Sequence, residues 1–315
     1  MKRALLIIPL ITLCAAAQAQ SYLDVRNFDN TYEINIITGK KGETSREMAK
    51  CQAVRLKKDW YITAAHCLKP ACDRGCDIVV RLHVGERYEM AQEINSAAAS
   101  PVFKLHEAQN VDKASIAYDI ALIHMDPDKA QYVYKDNKLL YIINKEDFLK
   151  ALAPDTRPYD KALKGDNFPT LLSLSAQTPK ILNRFLAVAS IWDGKREVLQ
   201  SNDFVFYSPK NHYLYTNNFG IRPGISGSGV VTSTRELVGI VSATSNLRRH
   251  ESDAWGPKIV PMSYTFLSVF DDNAITFINR NISGGVKHSK SDTSYLKVVP
   301  EEYRPMTLAV DKNIT

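Results

Sequence analysis

The chain has 315 residues, 45% of them hydrophobic and 23% charged, with a net charge of +6. That length buries one large core or two modest ones, and the balance is that of an ordinary globular protein rather than a disordered or fibrous one. Its basic residues are scattered, as at Lys40-Lys41, Arg55-Lys57-Lys58 and Arg248-Arg249, with no basic stripe interleaved with aromatics, so no nucleic-acid partner is implied.

Met1 to Ala19 reads as a signal peptide. Lys2 and Arg3 make the positive start, Ala4 to Leu13 an apolar run too short to span a bilayer comfortably, and Ala17-Gln18-Ala19 a small-residue cleavage site. Its removal leaves a net charge of +4 and no expected membrane span. The bulky Leu13 before Cys14 argues against a lipid anchor at that cysteine. Export leaves four cysteines in an oxidising compartment, Cys51, Cys67, Cys72 and Cys76, and an even number there implies two disulfides. A four-thiolate zinc site is the rival reading.

From Tyr32 to Val84 the text is strand-like. Ile34-Asn35-Ile36 and Arg81-Leu82-His83-Val84 alternate, with turn signals at Gly39 to Gly42 and Asp73 to Gly75. Many short strands with frequent turns predict a β-barrel or sandwich. His83 and His106 lie in or near such strands and read as structural histidines. Cys51 to Cys67 reads as two strands around a polar turn at Lys57-Lys58-Asp59, ending in Thr63-Ala64-Ala65-His66-Cys67. The next chemical element is Tyr118-Asp119-Ile120-Ala121-Leu122-Ile123, where an acidic residue leads into an apolar strand.

Residues 126–183 read as a connection enlarged by an insertion. Glu146 to Leu152 is a short helix ended by Pro154, and Pro158, Gly165 and Pro169 mark loops. Phe185 to Trp192, Asp203 to Tyr207 and Tyr213 to Thr216 are further strands. Then comes Ile221-Arg222-Pro223-Gly224-Ile225-Ser226-Gly227-Ser228-Gly229, with apolar strands on both sides, which argue against a plain linker. Asp272 to Asn279 fits a helix. From Ser283 onward Ser, Gly, Lys and Asp dominate, as in a linker.

Thr63-Ala64-Ala65-His66-Cys67, the Asp-Ile-Ala-Leu context of Asp119 and the Gly-x-Ser-Gly core at Ser226 together resemble the trypsin-like (chymotrypsin-fold) serine peptidases, of the exported bacterial type. The motifs cover roughly Cys51 to Asn279, and their order His, Asp, Ser is that of chymotrypsin rather than of subtilisin or the α/β-hydrolases. The resemblance implies an all-β fold of two packed six-stranded antiparallel barrels with a C-terminal helix. The expected division is a first barrel over 20–125, the connection over 126–183, a second barrel and helix over 184–281, and a tail over 282–315. It implies a serine endopeptidase acting on proteins or peptides, exported to the periplasm or secreted, with no metal and no cofactor. Ser226 is the implied nucleophile, His66 the general base and Asp119 the residue that orients it. The amides of Gly224 and Ser226 form the implied oxyanion hole. Gly220, Ser242, Ala243 and Thr244 line the implied primary pocket, and a pocket without a charge there prefers small uncharged side chains. The family pattern favours a Cys51–Cys67 disulfide, with Cys72–Cys76 as the second, over zinc.

One residue departs from the pattern. Ile225 stands before the candidate nucleophile, where the family usually carries Asp or Asn, and no Ile-Val-Gly-Gly start is present to form the ion pair of the animal zymogens. This departure sustains an alternative reading, a weak or inactive peptidase-fold protein that binds or adheres.

Overall fold

The computed structural model describes residues 30–39, 47–68, 77–84, 87–95, 103–105, 118–151, 168–174, 180–182, 186–192, 195–200, 205–208, 212–217, 221–232, 236–253, 256–290 and 296–298. The signal segment, Cys72, Cys76, His106 and Gly220 lie outside them. The architecture is all-β, two antiparallel sheets with few helices, as the chymotrypsin-like reading requires.

The first sheet is built from β1 (Thr31–Gly39), β2 (Glu47–Lys57), β3 (Trp60–Thr63), β4 (Asp77–Val84), β5 (Tyr88–Asn95), β6 (Phe103–Leu105), β7 (Ala121–His124), β8 (Gln131–Asp136) and β9 (Leu139–Ile143). Their order across the sheet is β6-β7-β3-β2-β1-β4-β5-β8-β9. Strand β1 shows the period-two pattern directly: Tyr32, Ile34 and Ile36 are buried, while Glu33, Asn35 and Ile37 are half-buried. A four-residue helix, α1 (Ala65–Leu68), follows β3. Helix α2 (Lys145–Ala151) follows β9 and docks Phe148 edge-on against Tyr88 and beside Tyr132.

The second sheet uses β10 (Leu171–Ser173), β11 (Lys180–Leu182), β12 (Leu186–Trp192), β13 (Lys195–Gln200), β14 (Val205–Ser208), β15 (Tyr213–Asn217), β16 (Gly229–Thr232), β17 (Leu237–Asp253) and β18 (Gly256–Val269). Helix α3 (Asp272–Asn281) follows, then β19 (His288–Lys290) and β20 (Leu296–Val298). The main order is β13-β12-β16-β17-β18-β15-β14-β11-β20. Strand β12 is buried on both faces. Leu186 and Val188 enter one apolar cluster with Leu214, Val230 and Leu267, whereas Ala187 and Ala189 enter the other, which also holds Ile34, Ile62 and Leu122 of the first sheet. That double burial explains the continuous apolar text of Leu186 to Ala189.

Two segments are more integrated than their sequence indicates. Residues 126–183 supply β8 and β9 to the first sheet and β10 and β11 to the second. The polar text after Ser283, read as a linker, carries β19, which pairs in parallel with β10, and β20, which pairs with β11. Backbone ladder hydrogen bonds need no apolar side chains, so these edge strands leave little hydrophobic pattern. Helix α3 is anchored at both ends. The Asp271 carboxylate accepts from the Ala274 amide, and the Ile282 amide donates to the Ile278 carbonyl. Ala274, Ile275, Phe277 and Ile278 form its buried stripe. No helix among the described residues is long and apolar enough to cross a membrane.

Candidate active site

Strand β3 ends at Thr63, and the chain turns at once into α1, which puts His66 at the sheet margin. Cys67 beside it is bonded to Cys51 on β2. The disulfide therefore ties α1 to β2, the strand paired with β3, and restricts where His66 can sit. The same bond excludes Cys51 and Cys67 from a thiolate zinc site, although their sulfurs and the His66 ring are close enough to mimic one. Cys72 and Cys76 fall outside the described residues.

Asp119 lies just before β7, which pairs with β3. That pairing carries the carboxylate back to His66 across fifty-three positions of sequence. Asp119 Oδ1 accepts from the His66 backbone amide at 2.8 Å, and Oδ2 meets His66 Nδ1 at 2.6 Å. Ser242 Oγ donates to the same Oδ2 at 2.6 Å. The carboxylate is 4% exposed and the imidazole 38% exposed, so the acid is sealed and the ring is partly open to solvent. Three donors hold the carboxylate in one orientation. With Asp119 accepting from Nδ1–H, the neutral ring carries its lone pair on Nε2. Burial works to lower the His66 pKa, but the hydrogen bond and charge of Asp119 outweigh it, and the group sits above its ordinary 6.5.

The loop at Ser226 approaches from the second sheet. Cys67 Sγ lies 3.9 Å from His66 Nε2 and 4.0 Å from the carbonyl oxygen of Ser226, so one sulfur separates the histidine from the serine's backbone. Two glycines shape the loop. Gly224 has φ +93° and Gly227 φ +85°, both in the region that disfavours side chains. At Gly227 a Cβ would also stand 2.0 Å from the Gln52 carbonyl oxygen. Within the loop, the amide of Ile225 donates to Arg222 O, that of Gly227 to Val241 O and that of Ser228 to Ile225 O. The amides of Gly224 and Ser226 donate to no backbone carbonyl among the described residues. Ile225 is fully buried in the cluster containing Leu172, Leu174, Val230 and Val241. An apolar residue there anchors the loop by packing instead of by charge.

Ser242, expected on the pocket wall, turns its hydroxyl to Asp119. The β17–β18 register shifts between Val241 and Ala243, and the bulge leaves Ser242 off the ladder, with its side chain aimed at the carboxylate. Ala243 is half-buried and Thr244 exposed, at successive positions of the β17–β18 ladder. His83 is held as a structural histidine, with Nε2 at 2.7 Å from Asn35 Nδ2 and Nδ1 at 3.4 Å from Glu89, and burial lowers its pKa.

Sequence reasoning missed a second cluster next to Asp119. Tyr118 adopts φ +54°, uncommon for a bulky residue, and its hydroxyl donates to Asp271 Oδ2 at 2.7 Å. His212 Nδ1 lies 2.7 Å from the same oxygen, and its ring stacks on Tyr118 with centroids 4.6 Å apart. Asn273 Nδ2 donates to the Tyr118 hydroxyl at 3.0 Å. The cluster joins the turn bearing Asp119 to the start of α3. Only the positive φ would have marked it, and a sequence does not display φ.

The family model Trypsin matches residues 35–139, the stretch that contains His66 and Asp119 but ends well before Ser226. Over that stretch the chain is similar to the trypsin family. Among solved structures it is similar to the serine endoprotease from Yersinia pestis, at 13% identity and a TM-score of 0.37, over 79% of this chain. The chain spans 62% of that structure's length. No curated protein sequence matches it.

Proposed function

We propose that this chain is an exported serine endopeptidase that cleaves peptide bonds through an acyl-enzyme. Ser226 Oγ attacks the substrate carbonyl carbon while His66 Nε2 accepts the hydroxyl proton. The resulting imidazolium is stabilised by the Asp119 carboxylate, which keeps Nδ1–H oriented. The amides of Gly224 and Ser226, which have no backbone partner among the described residues, receive the charge that develops on the carbonyl oxygen. His66 then returns its proton to the leaving amine, and water repeats the sequence to release the acid.

The observation that carries this reading is the sealed Asp119 carboxylate, which holds both the backbone and the ring of His66. The trypsin match over residues 35–139 supports it independently. The buried disulfide and the apolar Ala4 to Leu13 run behind Lys2 and Arg3 support export to the periplasm or beyond. The packed Ile225 supports a site that is ready without an N-terminal cut, so the chain freed only of its signal should be active. The exposed, β-branched Thr244 and an uncharged residue at position 220 support cleavage after small uncharged side chains.

Reaction with a fluorophosphonate probe tests the assignment, because only an activated serine is modified. Labelling that maps to Ser226 and disappears in Ser226→Ala is the expected result. An unlabelled, folded wild-type chain would favour the alternative, a binding protein that retains the fold. Profiling on a peptide library checks specificity: dominant cleavage after Arg, Lys or Glu would overturn the pocket reading.

A further inference from the structure

Gln52 sits on β2 beside the disulfide, belongs to the first sheet and is fully buried. Yet nearly all of its hydrogen bonds run into the second sheet. Its backbone amide donates to the carbonyl of Ser226 at 2.7 Å. Its Nε2 donates to the carbonyl of Ile191 at 2.6 Å and to that of Gly224 at 3.4 Å. Its Oε1 accepts from the Ile191 amide and from Ser228 Oγ, both at 2.9 Å. Its own carbonyl accepts from Thr63 Oγ1 at 2.6 Å and closes over Gly227, where no Cβ fits. One buried amide side chain thus satisfies both of its hydrogens and its oxygen on β12 and on the loop around Ser226.

The consequence for the loop is geometric. The peptide between Gly224 and Ile225 is held through the Gly224 oxygen. The peptide between Ser226 and Gly227 is held through the Ser226 oxygen and the Gly227 amide. The peptide between Ile225 and Ser226 lies between these two, and its N–H cannot turn without breaking one of them. That N–H is one of the two proposed oxyanion donors. We propose that Gln52 is a positioning residue that locks the Ser226 loop in its catalytic conformation. It does the work for which Ile225 has no charge, and the lock exists without any cut of the chain. The inference rests on the proposed Ser226 chemistry.

The test uses Gln52→Met, similar in length but without amide hydrogen bonds, and Ser228→Ala, in the full chain after signal removal. Each is assayed on a peptide amide for kcat and KM, for inhibition by a peptidyl boronate that mimics the tetrahedral adduct, and for Tm. Gln52→Met is expected to lower kcat about 10- to 100-fold and boronate affinity by the same factor, with KM changed less than about threefold, well below its Tm. Ser228→Ala is expected to show the same pattern at about three- to tenfold. A lower Tm with kcat and boronate affinity at the wild-type level would make Gln52 structural only and overturn the proposal. If Gln52→Met does not fold, an unchanged kcat in Ser228→Ala overturns it equally. Wild-type hydrolysis by Ser226→Ala would refute the peptidase reading and the lock together, whereas an inert Ser226→Ala with a fully active Gln52→Met refutes the lock alone.

Discussion

Two histidine–aspartate pairs flank the Tyr118-Asp119 turn and have nearly the same geometry. His66 Nδ1 stands 2.6 Å from Asp119, and His212 Nδ1 stands 2.7 Å from Asp271. Both rings are partly exposed and both carboxylates are buried. Their surroundings separate them. The second oxygen of Asp119 returns to the backbone of its own histidine, and the far edge of that ring lies across Cys67 from Ser226. The second oxygen of Asp271 instead caps α3, and its first is shared with a tyrosine hydroxyl. The contrast teaches that a histidine–carboxylate contact is not a catalytic signature. A third group on the open side of the ring decides whether the pair can move a proton or merely joins two elements.

The sharpest way to break this comparison is to remove each histidine. His66→Ala and Ser226→Ala should each lower peptide hydrolysis by about 10⁴- to 10⁶-fold. His212→Ala should cost less than about tenfold in kcat, read in the same assay with fold confirmed by circular dichroism. Comparable losses at His212 and His66 would erase the distinction.

The carboxylates offer the next contrast. Asp119→Asn leaves the shape but removes the charge that sets the tautomer, and kcat should fall by about 10⁴-fold. Asp271→Asn keeps a good helix cap, because Asn serves that position about as well as Asp. Near-wild-type kcat and Tm are therefore expected there. Steady-state kinetics and a melting curve on both variants decide it.

Reduction of the disulfide sharpens the comparison in energy. Cys51–Cys67 closes a loop of sequence separation 16 that contains His66 and not His212. Its loss in a Cys51→Ser/Cys67→Ser chain should cost about 3 kcal/mol of unfolding free energy, measured by urea denaturation. An unchanged midpoint would show that β2–β3 pairing alone holds α1.

The smallest effect is in pH. The His66 pKa lies above 6.5, with burial opposing and Asp119 overcoming it. On the proposed mechanism His66 accepts a proton only when neutral, so kcat/KM should rise as pH rises through that elevated value. Asp119→Asn removes the raising influence and should move this limb to lower pH. Stability has the opposite sense. A raised folded-state pKa contributes stability that is fully present below the unfolded value of about 6.5 and is lost as pH rises through the folded one. Proton NMR titration of the His66 ring, beside a pH–rate profile, checks both.

Much of the architecture was legible in the chain. The alternation of Tyr32, Ile34 and Ile36, the unbroken apolar Leu186 to Ala189 and the amphipathic run after Asp271 each report their own environment, because burial selects side chains at the period of the element. Thr63 to Cys67 and Asp119 to Ile123 stood out for the same local reason, and strand pairing of β3 with β7 accounts for their meeting. The tail strands β19 and β20 were not legible, since short edge strands pair through backbone groups that every residue carries.

The sequence by itself determined the strand-rich class, the position of the turn bearing His66 and the acidic lead into β7, because each is written in neighbouring residues. Tertiary structure alone decided the rest. Gln52 reaches Ile191 and Ser228 across separations of 139 and 176 residues, Ser242 reaches Asp119 across 123, and Tyr118 reaches Asp271 across 153. A glutamine, serine or tyrosine hydrogen-bonds equally well with many partners. No periodicity in the chain names the one it meets; the packing of two sheets does.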